Sequence, residues 1–237
     1  MTHPLIRAEA LEIGYGNQSL LPPLSLRIDP HTFWAVVGRN GSGKTTLFRT
    51  LLGLQPPVNG RVHRDAALLP AYVPQRAALD PLVPLRVWDV VSMGGDVGWN
   101  FLPGRGGRRR EAVGEALARY GMADWENRQF HELSEGQKQK VLMARVLARK
   151  ANIVFLDEPT AAMDTPAEHE TLALIRRMHA EDGISVVIIS HFLGVARTAD
   201  RVLFLDRDCA ETLAGTPDEV FGSDLFQHLY GSHGDNL

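Results

Sequence analysis

The sequence of 237 residues predicts an α/β fold with a mainly parallel sheet, an antiparallel β portion at the N-terminus and an inserted helical region. Three observations lead to this class. Apolar segments of strand length alternate with helical segments on both sides of the middle of the chain, as they do in parallel sheets. The first strands instead alternate apolar and polar residues, which is typical of a sheet with one exposed face. Residues 84–150 show helical patterns with no strand between them.

The N-terminal elements follow from residue patterning. Residues 5–13 and 24–28 alternate in polarity and are predicted as strands. Residues 33–37 form a continuous apolar run that indicates a buried strand and leads directly into a glycine-rich turn. Residues 44–54 carry leucines on one helical face and are predicted as a helix.

The C-terminal part of the chain adds strands to the same sheet. The apolar segments 152–156, 184–190 and 202–205 are predicted as buried strands. A helix over residues 166–181 separates the first two of them. This strand and helix alternation is what a parallel sheet requires.

The ends of that helix have their own signals. Thr165 is the predicted N-cap, Pro166 the first helical residue, and Glu168 the residue that completes a capping box. Gly183 is predicted to end the helix.

The middle of the chain is predicted as a helical insertion in one domain. Helices are expected over 87–93, 109–120 and 134–148, and no repeat or long linker divides the sequence. The predicted organisation is a single domain 1–237, with residues 1–83 and 151–237 as the core and 84–150 as the helical subdomain.

Composition excludes several classes of protein. With 44% hydrophobic and 22% charged residues the chain is globular, and a net charge of −3 gives no overall attraction to nucleic acid, so no nucleic-acid partner is expected. The apolar runs are far shorter than the ~20 residues that cross a bilayer, and the first ten residues lack a signal peptide's apolar stretch. The expected location is cytosolic. Cys209, the single cysteine, is interpreted as structural, and the basic run of Arg105 and Arg108 to Arg110 as a solvated loop.

A glycine-rich segment between a predicted strand and a predicted helix carries the first chemical signal. It matches G-x-x-x-x-G-K-[ST], the pattern of a phosphate-binding loop, although an ordinary glycine turn with a surface lysine is the simpler alternative. Backbone N–H groups and the positive end of the helix dipole would face the phosphates. Lys44 would reach the β and γ phosphates, and the Thr45 hydroxyl would bind Mg²⁺. The predicted nucleotide-binding residues are Gly38, Asn40, Gly41, Ser42, Gly43, Lys44, Thr45 and Thr46.

A second signal is a pair of adjacent acids at the end of the buried strand 152–156. Asp157 is predicted to hold Mg²⁺ through water, and Glu158 to polarise the water that attacks the γ phosphate. A solvated strand end is the alternative interpretation. The phosphate loop earlier in the chain favours the chemical one.

The segment Leu133-Ser134-Glu135-Gly136-Gln137 resembles the signature motif of the ABC ATPase family, with Glu135 where the family commonly has glycine. Ser134 and Gln137 also form a capping box, so a well-capped helix is the simpler alternative. The resemblance implies that Ser134, Gly136 and Gln137 bind the γ phosphate of the ATP held by a partner subunit.

The resemblance extends over residues 5–220 and implies further roles. Tyr15 stands where the family has the aromatic residue that stacks on adenine, although a core or surface tyrosine is a fair alternative. Gln75 is similar to the glutamine that contacts Mg²⁺ and the nucleophilic water. His191 is similar to the histidine that senses the γ phosphate, and Asp164 to an acid that bridges the dimer interface.

These implied roles define an expected assembly. The fold would be a RecA-like P-loop core with an ABC helical subdomain, using ATP and Mg²⁺. Two copies would form a head-to-tail dimer with two ATP molecules between them, on the cytoplasmic face of the cell membrane. Integral membrane permease subunits would insert a short helix into the groove near Gln75, and a substrate-binding protein would act through the permease.

The cargo expected from the resemblance is a transition metal ion. Residues 72–76 through Leu79-Asp80, and then residues 84–94, resemble the corresponding run in ATPases of zinc and manganese importers. Siderophore importers, whose ATPases have a similar helical lobe, are one alternative, and a soluble non-transport ABC ATPase or a P-loop kinase are others. No ligands for the cargo are expected in this chain, so His228 and His233 are interpreted as surface residues.

Overall fold

The computed structural model of the protein describes residues 3–75, 83–95, 105–161, 163–207 and 212–230. The strands are β1 Ile6–Glu12, β2 Gly14–Tyr15, β3 Gln18–Ser19, β4 Leu24–Ile28, β5 Phe33–Val37, β6 Asn59–Arg64, β7 Pro70–Val73, β8 Ile153–Asp157, β9 Ser185–Ile189, β10 Arg201–Phe204 and β11 Leu213–Gly215. The α-helices are α1 Lys44–Leu52, α2 Val87–Ser92, α3 Arg105–Arg119, α4 Glu135–Ala148, α5 Thr165–Asp182, α6 Leu193–Ala196, α7 Pro217–Phe221 and α8 Asp224–Tyr230. Short 3₁₀ turns cover Met93–Gly95, Ala123–Trp125 and Phe130–Glu132.

Six strands form the central sheet in the order β11, β10, β5, β9, β8, β7. The five from β10 to β7 run parallel, and β11 pairs antiparallel with β10. Every residue of β5, β8 and β9 is buried, because helices or the second sheet cover both faces. The predicted mainly parallel sheet is confirmed.

A second sheet of β4, β1 and β6 is antiparallel, which confirms the prediction for the N-terminal part. The register shifts in the middle of β1, where Ala10 adopts a left-handed φ of 43°. Gly60 of β6 lies against this bulge, and a Cβ there would be 2.1 Å from the Ala10 carbonyl oxygen. Glycine is therefore required where the two strands approach most closely.

The two faces of the central sheet bury different apolar clusters. Ala35 and Val37 of β5 pack into a cluster that continues into α2, α3 and α4. Trp34 and Val36, which point to the opposite face, pack into a cluster with α1 and the antiparallel sheet. The helical region and the antiparallel sheet thus lie on opposite sides of the central sheet.

The predicted helical region contains α2, α3 and α4, and the described parts of 84–150 hold no strand apart from one isolated bridge, Arg86 to Gln129. The interpretation of the arginine run as a loop is wrong, because α3 begins at Arg105. Arginine favours helices, and two side chains of the run make local contacts. Arg109 donates to the Ser92 carbonyl oxygen, and the Arg110 guanidinium lies 5.4 Å from the Trp88 ring centroid.

The start of α5 also differs from the prediction. Asp164, not Thr165, is the N-cap, because its carboxylate accepts a hydrogen bond from the free Ala167 N–H at 2.9 Å. Glu168 instead accepts from the Thr160 hydroxyl. Gly183 ends the helix with a left-handed φ of 67°, as predicted.

Three predicted features fall wholly or partly outside the described residues, namely Cys209, His233 and, over residues 76–80, the run that resembles zinc and manganese importers. His228 is exposed on α8, as predicted. Within the described ranges, no helix is both long enough and apolar enough to span a bilayer.

Candidate functional site

Four parallel strands end at the same edge of the central sheet, and a candidate residue follows each of them. The glycine-rich loop begins at Gly38 after β5, and His191 lies two residues beyond β9. Asp157 is the last residue of β8, Glu158 follows it, and Gln75 lies two residues beyond β7. Because β5, β9, β8 and β7 are consecutive in the sheet, distant parts of the chain meet at this edge.

The loop between β5 and α1 depends on glycine conformations. Gly38, Gly41 and Gly43 have φ values of 148°, 80° and 94°. A Cβ on Gly38 would lie 2.0 Å from the Leu205 carbonyl oxygen. Gly43 begins α1 without a side-chain cap, so the helix start is open to an anion.

Lys44 is buried at the start of α1. Its ammonium donates to the carbonyl oxygens of Gly38 at 2.7 Å and Arg39 at 2.9 Å. Burial lowers the pKa of Lys44, and the nearby carboxylates of Glu158 and Asp157 oppose that shift. The ammonium therefore stands in a poorly hydrated position where a phosphate would be a strong partner.

Asp157 receives two hydroxyl donors on one carboxylate oxygen. Thr45 Oγ1 donates to Asp157 Oδ2 at 2.9 Å, and the Tyr72 hydroxyl donates to the same oxygen at 3.1 Å. Burial raises the pKa of Asp157, while both hydroxyl donors and Lys44 lower it. Burial likewise raises the pKa of Tyr72, to about 12. A buried carboxylate beside the Thr45 hydroxyl is a set of hard oxygen ligands, which fits Mg²⁺.

Glu158 is held between two other site residues. Its Oε1 lies 2.6 Å from His191 Nε2, and its Oε2 accepts from Gln75 Nε2 at 2.5 Å. The Glu158 backbone has a left-handed φ of 49°, which is unusual for a residue other than glycine. Its N–H donates to the Ile189 carbonyl oxygen at 3.1 Å, so the turn is fixed to β9.

Lys44, Thr45, Gln75 and Glu158 border an open cavity of about 520 Å³. Tyr15 stands at its border, 59% exposed, with its hydroxyl 3.1 Å from Thr46 Oγ1. An exposed ring at this position has a face free for stacking. The lining residues are Tyr15, Leu20, Asn40, Gly41, Gly43, Lys44, Thr45, Thr46, Gln75, Glu158 and Arg207.

Sequence reasoning missed three residues of this site. Leu20 and Arg207 line the cavity, and Tyr72 contacts Asp157. Arg207 lies three residues beyond β10, so its position after a parallel strand was an available signal. No local pattern points to Leu20 or Tyr72.

A second group of predicted residues lies apart from this cavity. Ser134 Oγ accepts from the Gln137 N–H at 3.3 Å, and Gln137 Oε1 accepts from the Ser134 N–H at 3.0 Å, as the capping box predicts. A Cβ on Gly136 would lie 3.8 Å from the Ala167 Cβ, near the start of α5 that Asp164 caps. The structure therefore brings Gly136, at the start of α4, close to the start of α5, and none of Ser134, Gly136 and Gln137 lines the cavity beside the phosphate loop.

A phosphate loop, a buried acid and a second acid at the carboxyl edge of a parallel sheet define a nucleotide hydrolase of the P-loop class. The family model described as "ABC transporter" matches residues 21–161. The chain belongs to the ABC transporter family and is one of its ATP-binding, ATP-hydrolysing components.

Curated relatives match along almost the whole chain. A zinc import ATP-binding protein ZnuC of Cereibacter sphaeroides is 38% identical, over 97% of this chain and 89% of that protein. The zinc transport system ATP-binding protein TroB of Treponema pallidum is 34% identical, over 95% of this chain and 86% of its own length.

Solved structures give the same fold. An inward-facing metal-chelate type ABC transporter aligns with a TM-score of 0.85 and 25% identity, covering 96% of this chain and 89% of that one. A dimeric ATP-binding cassette bound to ADP and phosphate, in a post-hydrolysis state, aligns with a TM-score of 0.75 and 25% identity, covering 90% and 98%. The predicted fold class and the ATPase prediction are confirmed.

Proposed function

We propose that this chain is the ATPase subunit of a zinc importer and works through separate membrane permease subunits. The assignment of zinc as the cargo rests on the similarity to proteins named for zinc import and zinc transport, at 38% and 34% identity over nearly the full chain. Metal-chelate import is the second candidate, favoured by the TM-score of 0.85 to a metal-chelate type transporter.

ATP binds with its phosphates in the loop that begins at Gly38. The ammonium of Lys44 pairs with the β and γ phosphates, which its buried position and lowered pKa support. The open start of α1 adds backbone donors. Tyr15, exposed at the border of the cavity, stacks on the adenine ring.

Thr45, Asp157 and Gln75 would hold Mg²⁺, together with phosphate oxygens and water. The oxygen-rich donor set beside the phosphate loop supports this assignment. When bound, the ion supplies positive charge to the phosphates as the γ group leaves.

Glu158 orients the attacking water and accepts its proton. Its carboxylate is aimed into the cavity by Gln75 and His191, and its side chain is 15% exposed. A carboxylate fixed by two neighbours is organised before the substrate binds, as general-base catalysis requires. His191 then serves as the sensor of the γ phosphate.

The second group, Ser134, Gly136 and Gln137, contacts the ATP of a partner copy in a head-to-tail dimer. This assignment is supported by the exposure of Ser134 and by the separation of this capped helix start from the chain's own cavity. Asp164 lies beside the same surface and bridges the two copies. Each complete site would thus combine two chains.

The assembly places this chain on the cytoplasmic face of the cell membrane. Its permease contacts lie in the groove between the core and the helical subdomain, residues 84–150, near Gln75. A substrate-binding protein delivers the cargo to the permease and does not touch this chain.

The cargo is tested by metal content and growth in cells lacking the gene. Zinc should fall, and wild-type protein should restore it, whereas a Lys44→Ala protein expressed at the same level should not. Under chelation, added zinc should rescue growth. If zinc is unchanged and only a ferric chelate restores growth, metal-chelate import replaces zinc import. Co-purification of a hydrophobic membrane protein with the tagged chain tests the permease assignment, and its absence would contradict transport.

A further inference from the structure

Tyr72 contacts the site but belongs neither to the phosphate loop nor to the pair of acids. It lies on β7, the strand at one edge of the central sheet, and pairs in register with Phe155 of β8. Phe155 and Asp157 are two residues apart on β8, so their side chains point to the same face. This register brings the Tyr72 hydroxyl to Asp157 Oδ2, at 3.1 Å.

The direction of this hydrogen bond is fixed by its neighbours. Burial and the Asp157 carboxylate raise the pKa of Tyr72, and the nearby Arg49 guanidinium of α1 opposes that shift. A guanidinium can only donate and a carboxylate can only accept. The hydroxyl therefore gives its single hydrogen to Asp157, with the Arg49 guanidinium nearby.

Both donors to Asp157 use the same oxygen. Thr45 and Tyr72 donate to Oδ2, and among the described residues no hydrogen bond is directed at Oδ1. Thr45 is itself assigned to the metal. Among the described residues, Tyr72 is thus a hydrogen-bond partner of Asp157 that is not itself a proposed metal ligand. Its hydrogen bond to Oδ2 leaves Oδ1 available to the metal.

We propose that Tyr72 is a positioning residue for Mg²⁺ binding: its hydroxyl orients the Asp157 carboxylate so that Oδ1 faces the metal. The inference rests on the proposed Mg²⁺-dependent ATP hydrolysis. Partners that orient a metal ligand in this way typically change metal affinity or activity by about 10- to 100-fold when they are removed.

The test is Tyr72→Phe, which removes the hydroxyl and keeps the ring that packs against the cluster of α1 and the antiparallel sheet. Tyr120→Phe is the control, because Tyr120 packs its ring into the core while its hydroxyl has no hydrogen-bond partner among the described residues. Binding of Mn²⁺ to each protein with a non-hydrolysable ATP analogue is followed by the EPR signal of the free ion. Nucleotide affinity is measured separately in EDTA.

We expect Tyr72→Phe to weaken Mn²⁺ binding by about 10-fold and to raise the Mg²⁺ concentration for half-maximal ATPase by a similar factor. Nucleotide affinity in EDTA should not change, and Tyr120→Phe should match wild type in every measurement. If Tyr72→Phe fails to fold, Arg49→Met on the exposed face of α1 should shift Mn²⁺ binding in the same direction and by less.

Three results separate the possible failures. If folded Tyr72→Phe binds Mn²⁺ as tightly as wild type, the positioning role is wrong, although the proposed ATPase function is unaffected. The same holds for Arg49→Met where that variant is used instead. Loss of nucleotide affinity in EDTA overturns it in favour of a packing role. A wild-type protein without Mg²⁺-dependent ATPase overturns the proposed function instead.

Discussion

Glu158→Gln tests the carboxylate with the smallest change of shape. The glutamine oxygen can still accept from Gln75, and its amide nitrogen can donate to unprotonated His191 Nε2, because the present contacts are 2.5 and 2.6 Å. The variant keeps the side-chain length and the residues that hold the phosphates. We expect the free energy of unfolding to change by less than about 1 kcal/mol and ATP affinity to stay at the wild-type value.

The rate of hydrolysis should fall steeply. A general base contributes about 10²- to 10⁴-fold to a rate, which raises the barrier by about 3 to 5 kcal/mol at roughly 1.4 kcal/mol per factor of ten. Glu158 is held by two hydrogen bonds and its side chain is 15% exposed. A carboxylate fixed this well before the reaction favours the upper part of that range, about 10³-fold or more.

The assay is phosphate release in single turnover, combined with size-exclusion chromatography in the presence of ATP. The variant should accumulate as an ATP-bound dimer. Glu181→Gln is the control, since Glu181 also accepts from a side chain, Arg119, but lies at the far end of α5. Hydrolysis by Glu158→Gln within about 10-fold of wild type, or a monomer where wild type dimerises, would refute the assigned role.

Three further variants address the other parts of the site. Lys44→Ala should weaken ATP binding by about 1.5 to 3 kcal/mol, the typical contribution of a charged hydrogen-bonding partner, and unchanged affinity in equilibrium binding would remove the lysine from the phosphates. Ser134→Arg should stop turnover and lower the free energy of unfolding only by about the 1 kcal/mol of the lost α4 cap, since Ser134 is otherwise exposed; mixed with Lys44→Ala it leaves at most one competent composite site per heterodimer, so near wild-type activity of the mixture would contradict shared sites. Asp164→Ala should reduce the free energy of unfolding by about 1 kcal/mol through loss of the α5 cap, and Asp164→Asn by only a few tenths; equal losses in chemical denaturation would contradict the cap.

The sequence predicted those strands whose own residues show a strand pattern of polarity. β4 and β5 have the predicted bounds, because one alternates in polarity and the other is continuously apolar. β6 was missed since Asn59–Arg64 is almost wholly polar and exposed, and its strand is formed by backbone pairing with β1. β7 was missed for a similar reason, because a four-residue segment that begins with proline becomes a strand only beside β8.

The same distinction applies to the site. The phosphate loop is encoded locally, since glycine conformations and the start of α1 lie within a few residues of Lys44. Tyr72 and Arg207 could not be assigned in this way, because each reaches the site through the order of strands in the sheet. The capping error at α5 has a third origin, for Asp164 and Thr165 are both good caps and the choice depends on which reaches the Ala167 N–H.

The backbone at Glu158 explains how two adjacent acids serve different tasks. Successive side chains of a strand point to opposite faces, so an extended Glu158 would point to the face opposite the Asp157 side chain. The left-handed φ of 49° instead turns the carboxylate toward Gln75 and His191. Such a conformation costs a residue other than glycine about 1 to 2 kcal/mol, and it persists because the Glu158 N–H is bonded to β9 and its carbonyl oxygen to the Ala161 N–H, both at 3.1 Å. Glycine would relieve the strain but has no carboxylate. The protein therefore holds a strained residue at the position that we propose for the general base, and the sheet supplies the stability that keeps it there.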